Sequence, residues 1–236
     1  MALLDDVMDA SGGLPRWNSL TRFTLHLSLS GLLLSRVGLA GHFKDVIAEG
    51  STRTPSVRFT GITDGQRCGS FRPEIVTFES LEGEVLQTWR NPTLKMPSAS
   101  ASMAYQDELH LVFLCGVAIW TSLATPFSLT APDLVVDELL PLPEADDQWR
   151  RLRVRTPPSA FAEASEQILY FDDMALQRRM DHDFLGARVA DYSWAHQTFD
   201  GIVVPTLRRS QLIAPDGTMT SDANLLGIEI FDAKFD

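Results

Sequence analysis

Between Arg22 and Ser30 the chain alternates strictly. Phe23, Leu25, Leu27 and Leu29 are apolar, and Thr24, His26 and Ser28 between them are polar. A period of two is that of a strand with one buried face. The last third of the chain reads as consecutive strands joined by short turns. Residues 166–171 lead into the turn Asp172-Asp173-Met174-Ala175, then come 176–185, 186–191 and 192–199. Asp200-Gly201 is a tight hairpin signal, because that pair supplies the positive φ a type I′ turn needs. Residues 202–214, the turn Pro215-Asp216-Gly217-Thr218 and residues 223–236 complete an antiparallel meander.

Further strand signals lie at 56–62, 75–80 and 85–90, separated by Asp64-Gly65, Arg72-Pro73 and Glu82-Gly83. Residues 149–156 alternate again, with Trp149, Arg151, Arg153 and Arg155 opposite Arg150, Leu152 and Val154, and Pro157-Pro158 ends them. The helical signal is strongest over 105–125, where Leu109, Val112, Phe113, Gly116, Val117 and Trp120 recur near helical spacing before Pro126. Residues 3–10 form a short helical start stopped by Gly12-Gly13. Residues 31–40 read as a second strand after a turn at Gly31, residues 97–102 as a small-residue linker, and the proline-bearing, acidic 129–144 as a loop. A sheet of this length curls, because strands twist. The expected architecture is α+β and mainly β: a curved antiparallel half-barrel sheet with helix 105–125 as a plug over its concave face. There are no repeats or domain boundaries, so residues 1–236 are expected to form one domain.

Composition narrows the function. The formal net charge of −11 and pI near 4.8 exclude a nucleic-acid binder, which needs a surplus of Lys and Arg. The longest apolar run, residues 109–124, falls short of the ~20 residues that span a bilayer, so no membrane insertion is expected. Met1-Ala2-Leu3-Leu4-Asp5-Asp6 lacks the positive start of a signal peptide, which points to a soluble, cytoplasmic protein. Cys68 and Cys115 are far apart and imply no disulfide framework. The five histidines show no His-Glu-x-x-His spacing, so no metal is expected. No phosphate loop or dinucleotide fingerprint is present, so no cofactor is expected either.

Strand parity yields candidate chemistry. In 176–185 one face carries Leu176, Arg178, Met180, His182 and Phe184, and the other Gln177, Arg179, Asp181 and Asp183. The apolar face looks inward, which buries Arg178 and His182 among apolar groups. A buried polar group needs a partner or a purpose. His182 or His196 is suited to general acid–base work, and Arg178 to holding a carboxylate or oxyanion. The structural alternative pairs Arg178 with Glu229 or a backbone carbonyl and leaves the histidines as satisfied core residues. His110 stands three residues after Asp107 on the expected helix, half of a triad. Phe113, Trp120, Met180, Trp194, His196 and Glu229 are candidates to contact a ligand. Trp17, Trp89, Trp120 and Trp194 are equally suited to the core.

Several stretches resemble the LolA-like superfamily, which includes bacterial lipoprotein carriers. They are Glu166-Gln167-Ile168-Leu169-Tyr170-Phe171-Asp172, Leu176-Gln177-Arg178-Arg179-Met180-Asp181-His182, Asp200-Gly201-Ile202-Val203-Val204-Pro205-Thr206 and the closing strand 228–235. The start Gly12-Gly13-Leu14-Pro15-Arg16-Trp17 resembles that of uncharacterised bacterial members. The resemblance implies a half-barrel of the kind that shelters acyl chains. The expected partner is a hydrophobic small molecule, lipid-like or polyketide-like, held in the concavity. A cofactor-independent cyclase, isomerase or dehydratase using His182, His110 and Arg178 is the alternative. A third is a partner-binding protein whose cavity is filled by its own side chains.

Overall fold

The computed structural model describes residues 2–92, 108–144, 147–158, 165–184, 186–219 and 224–236. The chain enters through α1 (Ala2–Ala10) and α2 (Leu14–Ser19). It continues through β1 (Arg22–Ser30), α3 (Leu32–Arg36), β2 (Val46–Ser51), β3 (Val57–Gly61), the single turn α4 (Ile62–Gly65), β4 (Arg67–Arg72), β5 (Ile75–Ser80) and β6 (Val85–Arg90). After α5 (Glu108–Ala124) and a 3-10 turn (Phe127–Thr130) come β7 (Val135–Glu144), β8 (Asp147–Thr156), β9 (Ser165–Phe171) and β10 (Gln177–Phe184). β11 (Ala187–Phe199), β12 (Ile202–Leu212) and β13 (Gly227–Phe235) close the chain. The described strands form one 13-stranded antiparallel sheet in the order β6-β5-β4-β3-β2-β1-β13-β12-β11-β10-β9-β8-β7. β1 and β13 meet in the middle, and β6 and β7 are open edges. This is the expected α+β, mainly β, half-barrel.

Alternation builds the concave wall. Phe23, Leu25, Leu27 and Leu29 of β1 are fully buried. The register Leu25↔Ala233, Leu27↔Ile230 and Leu29↔Ile228 puts the buried residues of β13 on the same side. Val46 and Ala48, then Val57 and Phe59, continue that face through β2 and β3. The Asp200-Gly201 hairpin forms as read: Phe199 pairs with Ile202, and φ is 49° at Asp200 and 85° at Gly201.

α5 lies in the concavity against β3, β4 and β5. Close approach depends on two glycines. A Cβ on Gly69 would sit 2.5 Å from Val112 Cγ2, and one on Gly116 would sit 2.6 Å from Phe71 Cβ. Around that contact Phe113 meets Phe71 edge-on at 5.6 Å and Trp89 at 5.2 Å. Residues 105–107 and the linker 97–102 lie outside the described residues. A second insertion fills a split in the sheet. β12 pairs with β13 only at Leu207, Arg208 and Arg209. Below that point the segment between α1 and α2 takes over, with the Val203 amide donating to the Ser11 carbonyl at 3.1 Å. Trp17 stacks on Phe127 at 4.5 Å, beside Phe235. Among the described residues no helix is long and apolar enough to cross a membrane.

The convex face has its own order. One row across the strands reads Arg151, Tyr170, Arg179, Tyr192, Arg209, each paired with the next in register. Arg151 lies 5.9 Å and Arg179 5.0 Å from the Tyr170 ring centre, and Arg179 is 5.4 Å from that of Tyr192. Asp181 anchors the row, accepting from the Tyr170 hydroxyl at 2.9 Å and twice from Arg179.

Two expectations are corrected, and two strands are added. Residues 31–40 are not a strand: Gly31 adopts φ 119° and α3 follows. The amides of Leu32 and Leu33 bond to the carbonyls of Asn224 and Leu225 instead of to a sheet partner. Residues 129–144 hold the strand β7, whose Pro141 and Pro143 are tolerated because it is an edge. β2 and β4 went unread because glycine and small polar residues interrupt their alternation.

Gly116→Ala would favour an isolated helix by up to about 1 kcal/mol. Here the added methyl runs into Phe71, so the variant is expected to be less stable by about 1–3 kcal/mol in urea denaturation.

Candidate functional site

The concave wall is largely apolar, and its most buried polar groups lie on β11 and β12. β10 turns Arg178, Met180, His182 and Phe184 to the concave side, as its alternation implies. The register Met180↔Asp191 and His182↔Val189 aligns them with β11, and Asp191↔Ser210 and Ser193↔Arg208 carry the row to β12. Arg208 then pairs with Ile228, a core residue of β13. Strand geometry therefore puts Asp191, Ser193, Arg208 and Ser210 in one patch inside the trough.

Asp191 is its centre. Its Oδ2 lies 3.1 Å from His182 Nε2 and 3.7 Å from the Arg208 guanidinium, and its Oδ1 accepts from the Ser210 hydroxyl. Burial pushes the Asp191 carboxyl up, but the bond and charge of His182, the charge of Arg208 and the Ser210 bond outweigh it. The carboxyl is held below the usual carboxylate range. Burial pushes the Arg208 guanidinium below its usual value, against the opposing pull of Asp191. Arg208 is only 7% exposed.

Beside this network is a void of about 20 Å³, lined by Ser193, His196 and Arg208 together with Val7, Phe171 and Leu176. The Ser193 hydroxyl has no hydrogen-bond partner, and neither ring nitrogen of His196 makes a bond of normal geometry, although the Gln177 backbone lies close by. Burial, joined by the nearby Arg178 charge and opposed by Asp172, holds the His196 imidazole below its ordinary range.

The residues expected from sequence do not converge. Arg178 does not reach Glu229. It donates to Asp172 at 2.6 Å, and the other oxygen of Asp172 accepts the amides of Met174 and Leu176. Glu229 is exposed on the outer face, because Ile228 and Ile230 take the inward positions of β13. His110 packs 4.5 Å from Trp89, at the β6 end of the sheet. Its expected partner Asp107 lies outside the described residues. Phe113 is wholly buried under α5, and the Trp120 indole donates to the Ser51 carbonyl at 2.9 Å. Trp194 is 39% exposed and stacks on Tyr192 on the outer face. His196 reaches the void instead, because Ala195 adopts φ 52° and interrupts the alternation. Met180 is buried in the core beside Asp191. Reading alternation through 202–214 brings out Thr206, Arg208 and Ser210; Asp191 and Ser193 needed the hairpin register as well.

The arrangement has a definite chemical order. Ser210 and His182 both bind Asp191, so the acid stands between them. A nucleophile–base pair needs the serine on the histidine, with the acid behind it. Ser210 is therefore not activated here, and the network's evident task is to keep a carboxylate and a guanidinium charged inside an apolar wall. A larger groove, about 440 Å³, lies on the opposite face among Arg22, Thr24, Glu49, Arg58 and Ser70. It is open and polar, and Arg58 there is tied to Glu79 at 2.7 Å.

No known family model and no curated protein matches the chain by sequence. By structure it is similar to a LolA superfamily protein from Nitrosomonas europaea, with TM-score 0.51 and 8% identity over 98% of this chain and 92% of that one. It is also similar to a DUF1329 family protein from Desulfovibrio piger, with TM-score 0.49 and 10% identity over 100% of this chain and 92% of that one. A third likeness is an outer membrane lipoprotein-sorting protein domain from Vibrio parahaemolyticus, with TM-score 0.47, 7% identity and 100% and 91% coverage. The first of these shows the fold as LolA-like.

Asp191→Ala would leave Arg208 buried without its counter-charge and is expected to cost on the order of 3–5 kcal/mol in chemical denaturation. Adding Arg208→Met to that variant should recover much of the loss. A second test is by pH. His196 has a lowered pKa in the fold, so the unfolded chain binds its proton more readily. The stability this ring contributes is present above its ordinary value of 6.5 and is lost as pH falls from there through the folded-state value. Thermal unfolding between about pH 5 and 7 should show a shallower pH dependence in His196→Leu than in the parent chain.

Proposed function

We propose that this chain, with its LolA-like half-barrel, binds a hydrophobic small molecule, lipid-like or polyketide-like, in the trough beside α5. The observation that carries the reading is that α5 is apolar on both sides. One side, with Val112, Phe113 and Gly116, lies on the sheet. The helical period turns Leu111, Leu114 and Cys115 the other way, and these are buried too. Across the trough stand Leu152, Val154, Leu169 and Phe171, which are apolar and buried. α1 already packs on β8 there, so a tail enters by parting the helices from the wall, and it then meets hydrocarbon on both sides, the environment that suits such ligands. The fold shared with a LolA superfamily protein supports the same reading.

Two measurements test it. Organic extraction of the purified protein, followed by mass spectrometry, should release a hydrophobic molecule, and Nile red should bind with a blue-shifted emission. Ala118→Trp, which fills space on the far side of α5, should weaken dye binding by about tenfold or more. A chain that releases nothing and leaves Nile red unbound would overturn the reading.

A further inference from the structure

The patch at the void has more donors than acceptors. The Arg208 guanidinium carries five N–H donors, and its nearest carboxylate oxygen, on Asp191, stands 3.7 Å away, beyond hydrogen-bond reach. Both oxygens of Asp191 are taken, one by His182 and one by Ser210. The Ser193 hydroxyl, on a residue with no exposed surface, also lacks a partner, and the His196 ring has only the Gln177 backbone close by, with no bond of normal geometry. Asp172 cannot supply an acceptor either, since its oxygens already accept from Arg178 and from the amides of Met174 and Leu176. These groups come from neighbouring strands and face one void, whose lining also includes the apolar Val7, Phe171 and Leu176 and the polar Ser11, Ser122, Thr125 and Gln177. An unpaired hydroxyl and an ion pair without a hydrogen bond are both costly in such a place, so a fold keeps them for a reason other than its own stability.

We propose that this void is the headgroup subsite of the trough and takes the carboxyl group of an acid with a long apolar tail. The assignment rests on the trough reading above and adds the chemistry of the ligand's polar end. A carboxylate supplies acceptor oxygens to Arg208 and Ser193 at once, and its charge matches the one cation in the patch that lacks a hydrogen-bonded counter-ion. An ester or an alcohol supplies acceptors without charge. The tail then lies against Val7, Phe171 and Leu176 and continues along the apolar wall.

The experiment is displacement of Nile red from the full chain by hexadecanoic acid, its methyl ester and hexadecan-1-ol. Charge-assisted bonds in a buried site should let the acid displace the dye at concentrations about tenfold or more below the other two. Arg208→Met and Ser193→Ala should each bring the acid-to-ester ratio towards one. Ser193→Ala removes only a hydroxyl that has no partner, so it keeps the test valid if Arg208→Met does not fold. Equal displacement by all three compounds, with no change in either variant, would make the void a water-sized gap and overturn the headgroup assignment while the trough reading stands. Absence of any dye binding or displacement would overturn both.

Discussion

A β-strand shows its side chains alternately to two sides, so a sheet that greases one side must wet the other. In this chain that constraint runs through the described strands without a closed barrel to enforce it. β1 sets the phase with its buried phenylalanine and leucines, and register with β13 and β2 hands the same phase to both halves of the sheet. α5 and the α1–α2 segment are what the greased side then requires, because an open trough of this kind cannot stay exposed to water. The glycines at 69 and 116 exist where the plug and the wall would otherwise collide.

The polar patch is the departure from that rule. Asp191, Arg208 and Ser193 occupy positions that alternation assigns to hydrocarbon. Part of the cost is met locally, since His182 and Ser210 saturate the carboxylate. The rest is not met, and the unsatisfied groups of this patch border one small void. On the convex side the opposite solution appears: Asp181, equally buried, has its oxygens fully engaged by Arg179 and Tyr170. The contrast between a closed network outside and an open one inside separates architecture from a place where something else can bind.

Much of this was legible in the sequence, for a physical reason. Strands such as β1 and β10 alternate cleanly, so the inward aim of Arg178, Met180 and His182 follows from counting. The Asp200-Gly201 turn fixes the register of β11 against β12, because only one pairing closes on two residues of positive φ. The partners of those inward residues were not legible. Arg178 is captured by Asp172 because the turn after β9 folds its carboxylate back onto the chain. Plain alternation would put Trp194 and His196 on one face, and a single left-handed residue, Ala195, parts them. Glu229 shares the outward side of β13 with Phe231, which is itself turned to solvent. β7 was hidden by its prolines, which only an edge position excuses.

The sheet ends in β6 on one side and β7 on the other, and these two strands do not pair with each other. A closed barrel can widen only by tearing a seam of backbone hydrogen bonds. This one works like a clasp: its two lips can part by spreading a little twist over many strands, with every ladder bond intact. The width of the trough is then a property of the unclosed rim, set by strand twist and not by a seam of backbone hydrogen bonds.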